Sequence, residues 1–308
     1  MGHWRFCSFV KIKDVLNNGV QRLQQEGIPE PELEVSLLLA HLLHTNRTTL
    51  LLARDQYLSV EQLEKFKKYI ERRLQREPLA YIVGEKEFWS LPFKVSNDVL
   101  IPRPETELLI EKALETVKKI FRTPDGQTIN ILDLGTGSGI IAVVLALELP
   151  AAAVTAVDLS FSALKVAKHN AKKHKVAERI DFVNCDWFGG IAPGKQYDLV
   201  LSNPPYIARE IIEKPYGESR ESLQPEVLGY EPHLALNGGE RGVQSIIGIA
   251  ENLGKTLKPG GWFLMEIGAA QSEDVTGIFR KTVHYENIVI HNDYAGLPRV
   301  FQAQKNEK

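Results

Sequence analysis

From residue 129 onward, short apolar runs of strand character alternate with helical segments, and this alternation restricts the fold more than any other feature of the chain. Residues 129–134, 153–158, 180–184 and 199–202 read as strands, with helices at 140–149 and 162–174 between the first three. A strand, a crossover helix and a parallel strand join with one hand, so the pattern predicts a parallel sheet covered by helices on both faces. Further strands are expected at 262–267, 283–290 and 300–303, and the last two have no helix between them. They read as an antiparallel hairpin that closes the sheet, giving an α/β, doubly wound, Rossmann-like fold with a C-terminal antiparallel strand.

The rest of the chain needs a second domain, because 308 residues exceed what a single core usually holds, roughly 250 to 300. Residues 10 to 80 read as helices. Val15, Leu16, Val20 and Leu23 share one face, 33–43 form a second apolar segment, and Leu63, Phe66, Ile70 and Leu74 form a third stripe. Ser59 followed by Gln62 is the pattern of a capping box, and Pro78 is expected to mark that helix's end. Between 84 and 101, Phe88, Trp89, Leu91, Phe93 and Val95 punctuated by Gly84 and Pro92 predict short strands in a hairpin. Next, Pro104, Glu105 and Glu107 suit a helix N-terminus, where proline fits the first turn and carboxylates meet the positive dipole end. The expected division is a small helical recognition or scaffold domain over 1–83, a β-hairpin connector over 84–103 and a catalytic domain over 104–308.

Composition removes several function classes. Net charge is -2 and the pI is near 6.5, so no global positive field gathers nucleic acid, and no stable nucleic-acid partner is expected. Two cysteines, Cys7 and Cys185, make neither a disulfide framework nor a zinc pair. His41, His44, His169 and His174 lack acidic or cysteine partners at metal spacing, so no metal is expected. The longest apolar run, 140–147, ends at Glu148 and is far short of the ~20 residues that span a bilayer. With no signal-peptide pattern at the N-terminus, a cytoplasmic protein with no membrane partner is expected, and a monomer. The lysines at 165, 168, 172, 173 and 175 read as the wet face of a crossover helix.

The first strand of the alternation leads into Gly135, Thr136, Gly137, Ser138 and Gly139 and then a helix. Glycines there admit positive φ and let a ligand lie close over the strand end. The spacing is G-x-G-x-G, with Ile140 where a dinucleotide fingerprint needs its third small residue, which disfavours NAD. Asp158 ends the second strand, 19 residues after Gly139, where an acidic side chain accepts hydrogen bonds from ribose hydroxyls. Asp133, just before the glycines, can fix the loop or bind a cofactor's ammonium group. Asp186 and Trp187 fall at the third strand end, placed to hold an adenine by hydrogen bonding and stacking.

The fourth strand delivers Asn203, Pro204, Pro205 and Tyr206 to the same sheet edge. The prolines remove two backbone donors and stiffen the loop, leaving the Asn203 side chain and the Pro204 carbonyl as oriented acceptors. Such a pair suits an NH2 group, whose nitrogen is then aimed by its two protons. Tyr206 is expected to give a flat wall for a planar acceptor, and Asn203 to touch the cofactor as well. There is no nucleophile elbow and no Walker A loop.

In the order R-E-P-L-A-Y-I-V-G, L-I-P-R-P-E-T-E, D-L-G-T-G-S-G, S-N-P-P-Y-I and E-P-H-L-A-L-N-G-G-E-R-G, these blocks resemble the N(5)-glutamine methyltransferases that modify peptide chain release factors. The resemblance covers nearly the whole chain and departs from the family at residues 1–9 and 122–128. It implies a class I S-adenosylmethionine-dependent methyltransferase fold in which Gly135 to Gly139, Asp158 and Trp187 contact S-adenosylmethionine. It further implies that Asn203 to Tyr206 hold the glutamine of a release factor's Gly-Gly-Gln loop, with S-adenosylhomocysteine as product. Two alternatives stay open. A nucleic-acid adenine or guanine amino-methyltransferase would grip a flipped base with a similar N-P-P-Y, though it would normally carry a basic surface. A non-catalytic nucleotide-binding scaffold would have no use for N-P-P-Y.

Overall fold

A computed structural model describes residues 10–120, 128–214, 216–217, 222–282 and 284–307; Cys7, the segment 1–9 and most of the 122–128 linker lie outside them. The chain forms two compact units. One contains the residues up to Gly84 together with Pro225–Tyr230, and the other contains Glu85–Gln224 and Glu231–Lys308.

The first unit consists of helices α1 (Ile12–Gln25), α2 (Pro31–Leu42), α3 (Arg47–Leu52), α4 (Val60–Leu74) and α5 (Leu79–Val83), with two short strands, β1 (Val10–Lys11) and β2 (Tyr57–Leu58), paired antiparallel. The apolar stripes face inward: Val15 and Leu23 of α1, Leu38 and Leu39 of α2, and Phe66 and Ile70 of α4 are fully buried or nearly so. At the start of α4 the capping box is complete, with Ser59 Oγ accepting the Gln62 N–H and Gln62 Oε1 accepting the Ser59 N–H. The helix stops at Leu74, short of Pro78, which caps α5 instead. Arg73 is buried and paired with Glu34 of α2 and with Glu226, at 3.0 Å, in the Pro225–Tyr230 helix. An unpaired buried guanidinium would be strongly destabilising, so the pairing anchors this late segment within the helical unit. Nothing in the sequence pattern assigned it there.

The second unit opens with the hairpin β3 (Glu85–Phe88) and β4 (Leu91–Lys94), followed by α6 (Thr106–Ile120). The expected alternation follows as β5 (Ile129–Leu134), α7 (Ile140–Glu148), β6 (Ala152–Asp158), α8 (Phe161–Lys173), β7 (Ile180–Asn184) and β8 (Tyr197–Ser202). After β8 come the short α9 (Arg209–Ile212), α10 (Pro225–Tyr230, the segment of the first unit) and α11 (His233–Leu236). The chain then finishes with α12 (Gln244–Thr256), β9 (Leu257–Glu266), α13 (Ser272–Lys281), β10 (Tyr285–Asn292) and β11 (Pro298–Lys305). The strands form one sheet in the order β10-β11-β9-β8-β5-β6-β7, in which β11 alone runs against its neighbours. This is the expected doubly wound sheet with an antiparallel C-terminal strand.

Both faces are buried, which explains the continuous apolar character of the strands. Ile131 and Leu199 pack beneath α6 and α7, whereas Leu132, Leu134 and Val200 pack with Ile249 and Leu253 of α12 and Phe279 of α13. The chain winds from β5 outward to β7, then returns to β8 on the other side of β5. A switch point of this kind opens a crevice at the carboxyl ends of the strands. Among the described residues no helix is long and apolar enough to cross a membrane.

Candidate active site

The crevice is built first by the glycine loop after β5. Gly135, Gly137 and Gly139 all take positive φ, at 72°, 54° and 81°. Asp133 fixes the loop from below: its Oδ2 accepts the Thr136 hydroxyl at 2.6 Å and the Ala142 N–H at 3.2 Å. Full burial pushes its carboxyl up to about 7, against the lowering effect of the Thr136 bond. Of the two roles expected for Asp133, loop fixing is visible; its other oxygen, Oδ1, is buried without a partner, and the residue does not line the cavity. Gly139 also faces away from the cavity. A Cβ there would stand 2.9 Å from Ala167 Cβ and 3.0 Å from its Cα, so this glycine lets α8 approach the loop.

Asp158 closes the loop from the next strand, with Oδ2 accepting the Gly137 N–H and Oδ1 the Ser160 N–H, both at 2.8 Å. Burial raises its carboxyl, and the two backbone donors oppose the shift. Two of the roughly four acceptor positions of a carboxylate are thereby used, and the others are free for a ligand. Beyond β7, Trp187 sits across from Gly135, its ring carbon Cζ3 3.8 Å from where a Gly135 Cβ would stand. Asp158, Asp186 and Trp187 line one cavity of ≈ 300 Å³ together with Gly135, Thr136, Gly137, Ser138, Asn203 and Pro205.

Asn203 follows β8, where Ser202 Oγ donates to the Leu134 carbonyl at 2.9 Å and ties the strand end to β5. The loop is supported from behind. Gln271 Nε2 donates to the carbonyls of Tyr206 at 3.0 Å and Gly242 at 3.1 Å, and Gly242 has no room for a side chain against the Tyr206 backbone. Pro204 is buried, and neither it nor Tyr206 is among the residues lining the cavity. The Tyr206 hydroxyl is turned to Glu266, which accepts it at 3.1 Å, and burial raises its ionisation well above the ordinary tyrosine range. The flat wall expected of Tyr206 is therefore not part of the cavity surface.

Several residues that line or brace the cavity escaped sequence reasoning. Arg103 and Thr106 line the cavity, whereas the I-P-R-P-E-T-E segment was read as a helix start and as a block of the family resemblance, with no role given to either side chain. Arg103 pairs with the buried Glu231, which also accepts the Ile101 N–H, at 3.2 Å, so the segment is strapped to the E-P-H-L block. Glu266, the last residue of β9, is buried at the same strand-end edge; a carboxylate ending an apolar strand was the available signal. Asn170 of α8 donates to the carbonyls of Ser138 at 2.8 Å and Lys94 at 3.0 Å, joining hairpin and glycine loop. The lysines of α8 are exposed, as expected of a wet face. Among the described residues no group of three or more His, Cys, Asp or Glu side chains could hold a metal ion.

Known proteins resemble the chain in sequence and in fold. The PrmC N-terminal domain family matches residues 14–84 and the methyltransferase small domain family matches residues 106–218. A release factor glutamine methyltransferase of Koribacter versatilis is 38% identical over 294 residues, covering 96% of this chain and 98% of its own. One from Vibrio cholerae is 39% identical over 295 residues, covering 96% and 97%. A bifunctional methyltransferase of Rickettsia typhi is 41% identical over 298 residues, and the match spans 91% of this chain but only 56% of that longer protein. Among solved structures, the hMettl16 catalytic domain in complex with a MAT2A 3'UTR hairpin superposes with a TM-score of 0.53 at 15% identity, covering 82% of this chain and 85% of that one. At that identity the likeness concerns the fold alone.

Proposed function

Because the chain belongs to the release factor glutamine methyltransferases, we propose that it transfers a methyl group from S-adenosylmethionine to the side-chain amide nitrogen of the glutamine in a release factor's Gly-Gly-Gln loop. The observation that carries this reading is the meeting of Asn203 and Pro205 with the glycine loop and Asp158 in a single cavity. The residues present fit the cofactor. The cavity has the size of a small-molecule site, Asp158 has acceptor capacity left for ribose hydroxyls, and the Gly137 position is open on its ligand side.

S-adenosylmethionine, when bound, supplies an electrophilic methyl group on a sulfonium sulfur. Asp158 accepts hydrogen bonds from the ribose, Asp186 and Trp187 hold the adenine edge and face, and Asp133 keeps the loop in shape. Asn203 Oδ1, on the cavity wall, accepts one proton of the substrate NH2. An amide nitrogen is a poor nucleophile because its lone pair is delocalised, and it becomes partly positive as it attacks. Fixed acceptors therefore bind the transition state better than the ground state, and that difference lowers the barrier. No base is needed beforehand: the nitrogen turns acidic as its bond to the methyl carbon forms and the bond from that carbon to sulfur breaks, and its surplus proton then passes to solvent water.

The helical unit supplies no residue to this chemistry and is assigned to release factor recognition, in the cytoplasm where such a substrate is found. Exposed Leu51 and Leu52 at the end of α3 give it apolar surface for a protein partner. The test is label transfer from S-adenosylmethionine to a release factor, to the same factor with its Gly-Gly-Gln glutamine replaced, to duplex DNA and to ribosomal RNA. Label is expected in the intact release factor alone. Label in RNA or DNA, or in the glutamine-replaced factor, would overturn the acceptor assignment.

A further inference from the structure

A chain of hydrogen bonds leads from Asn203 into the protein. Asn203 Nδ2 lies 3.2 Å from Thr106 Oγ1, Thr106 Oγ1 lies 2.7 Å from Glu266 Oε2, and the Tyr206 hydroxyl lies 3.1 Å from Glu266 Oε1. Thr106 and Glu266 are each 1% exposed, so bulk water cannot replace either partner.

The polarity of this chain follows from donor counting. Burial raises the Glu266 carboxyl, and the hydroxyls of Thr106 and Tyr206 on its two oxygens oppose that shift. Held ionised by them, it only accepts, taking the single proton of Thr106 on one oxygen and that of Tyr206 on the other. Thr106 Oγ1 has then spent its proton and can only accept from Asn203. An Asn side chain offers two chemically different ends, and their assignment is set by their partners. The end that meets Thr106 must be the NH2, which leaves Oδ1 for the cavity that Asn203 lines.

We infer that Thr106 and Glu266 are positioning residues that hold the Asn203 carboxamide with its oxygen turned toward the substrate nitrogen. The inference rests on the acceptor role given to Asn203 above. Without the chain the carboxamide could rotate or flip, presenting NH2 donors to a substrate NH2. A misaimed group of this kind costs on the order of 100-fold when displaced by about 1 Å.

The test uses Thr106→Val, which keeps the shape and removes the hydroxyl, Thr106→Ser, which restores it, and Glu266→Leu, which removes both acceptor oxygens. With saturating cofactor and an intact release factor, Thr106→Val is expected to lower kcat by at least about tenfold, with KM for the release factor and calorimetric affinity for S-adenosylhomocysteine nearly unchanged. Thr106→Ser should recover most of the rate. Added to Asn203→Ala, Thr106→Val should cause no further loss, because the residues act as a unit. Glu266→Leu, which leaves the Thr106 proton without its acceptor, should lower kcat in the same way and be equally silent in the Asn203→Ala background, which covers the case that Thr106→Val does not fold. A full-rate Thr106→Val, an equal loss in Thr106→Ser, or losses that add to that of Asn203→Ala would overturn the inference. If the wild type leaves the release factor unlabelled, the acceptor reading fails instead. The positioning is then decided by the Asn203 side-chain amide NMR signal, which must shift in Thr106→Val, and an unmoved signal rejects it.

Discussion

Asp158 reaches across from the end of β6 to accept the backbone N–H of Gly137 at 2.8 Å, so the residue assigned to the cofactor ribose also shapes the loop beneath the cofactor. Asp158→Ala removes both functions. Each charge-assisted hydrogen bond is worth about 1.5 to 3 kcal/mol, so affinity for S-adenosylhomocysteine should fall by about tenfold or more. Titration calorimetry measures it. No heat from the wild type, or equal affinity in the variant, would reject the assignment of this cavity to the cofactor.

Gly139 is required for packing. In Gly139→Ala the new methyl would collide with Ala167 Cβ and Cα, and the residue would keep a φ of 81° that side chains rarely adopt. Strain of this sort costs on the order of 1 to 3 kcal/mol, with the collision added. Thermal unfolding should occur at a clearly lower temperature in Gly139→Ala. Adding Ala167→Gly, which removes one of the two colliding atoms, should recover part of the loss, and a double variant no better than the simple sum would contradict this packing account.

The contrast between Asp158 and Thr106 shows what was legible in the sequence. Asp158, the glycines and Asn203 stand at strand ends, and strand ends follow from the alternation of apolar runs, so their convergence could be read in advance. Thr106 and Glu266 are 160 positions apart and meet only because α6 and β9 deliver them to the same edge, a relation with no local periodicity. The anchoring of Pro225–Tyr230 was hidden for the same reason, since the pair Arg73 and Glu226 spans 153 positions. The Glu266 partner of the Tyr206 hydroxyl was hidden because a loop sequence fixes the backbone direction but not which neighbour captures a hydroxyl. In the fold, the capping box at Ser59 was readable because it is local, whereas β9 starts at Leu257, earlier than its apolar run, because pairing with Tyr197 of β8 extends it.

Asp133 gives the fold a pH dependence of definite sign. Its carboxyl is raised from 3.8 to about 7 by burial, so between these values the folded chain holds a proton that the unfolded chain has lost. This contribution is complete below about pH 4, declines as pH rises toward 7, and is gone above that. Denaturant titrations should therefore show the stability of wild type relative to Asp133→Asn falling as pH rises from 5 to about 7.5. A difference that grows with pH would mean that the folded protein stabilises the carboxylate.

Asn203 is the residue on which the proposed chemistry depends. Its Nδ2 is committed to Thr106, at 3.2 Å, so the oxygen is the end available to a substrate NH2. Removing one preorganised contact of this type costs on the order of 100-fold to 1,000-fold in turnover, and Asn203→Ala should lose about that much with little change in cofactor affinity. Asn203→Asp separates two contributions. A carboxylate accepts as well as the amide oxygen does, but it cannot donate to Thr106, so it must compete with Glu266 for the Thr106 proton. Partial activity is expected, above that of Asn203→Ala and below wild type. Activity of Asn203→Asp as low as that of Asn203→Ala would give the Nδ2 bond the larger share, and wild-type activity would give it none. Single-turnover measurements with saturating cofactor and a Gly-Gly-Gln substrate make the comparison free of product release. A wild-type rate in Asn203→Ala under those conditions would show that the amide nitrogen is held by groups other than Asn203, even with the family membership unchanged.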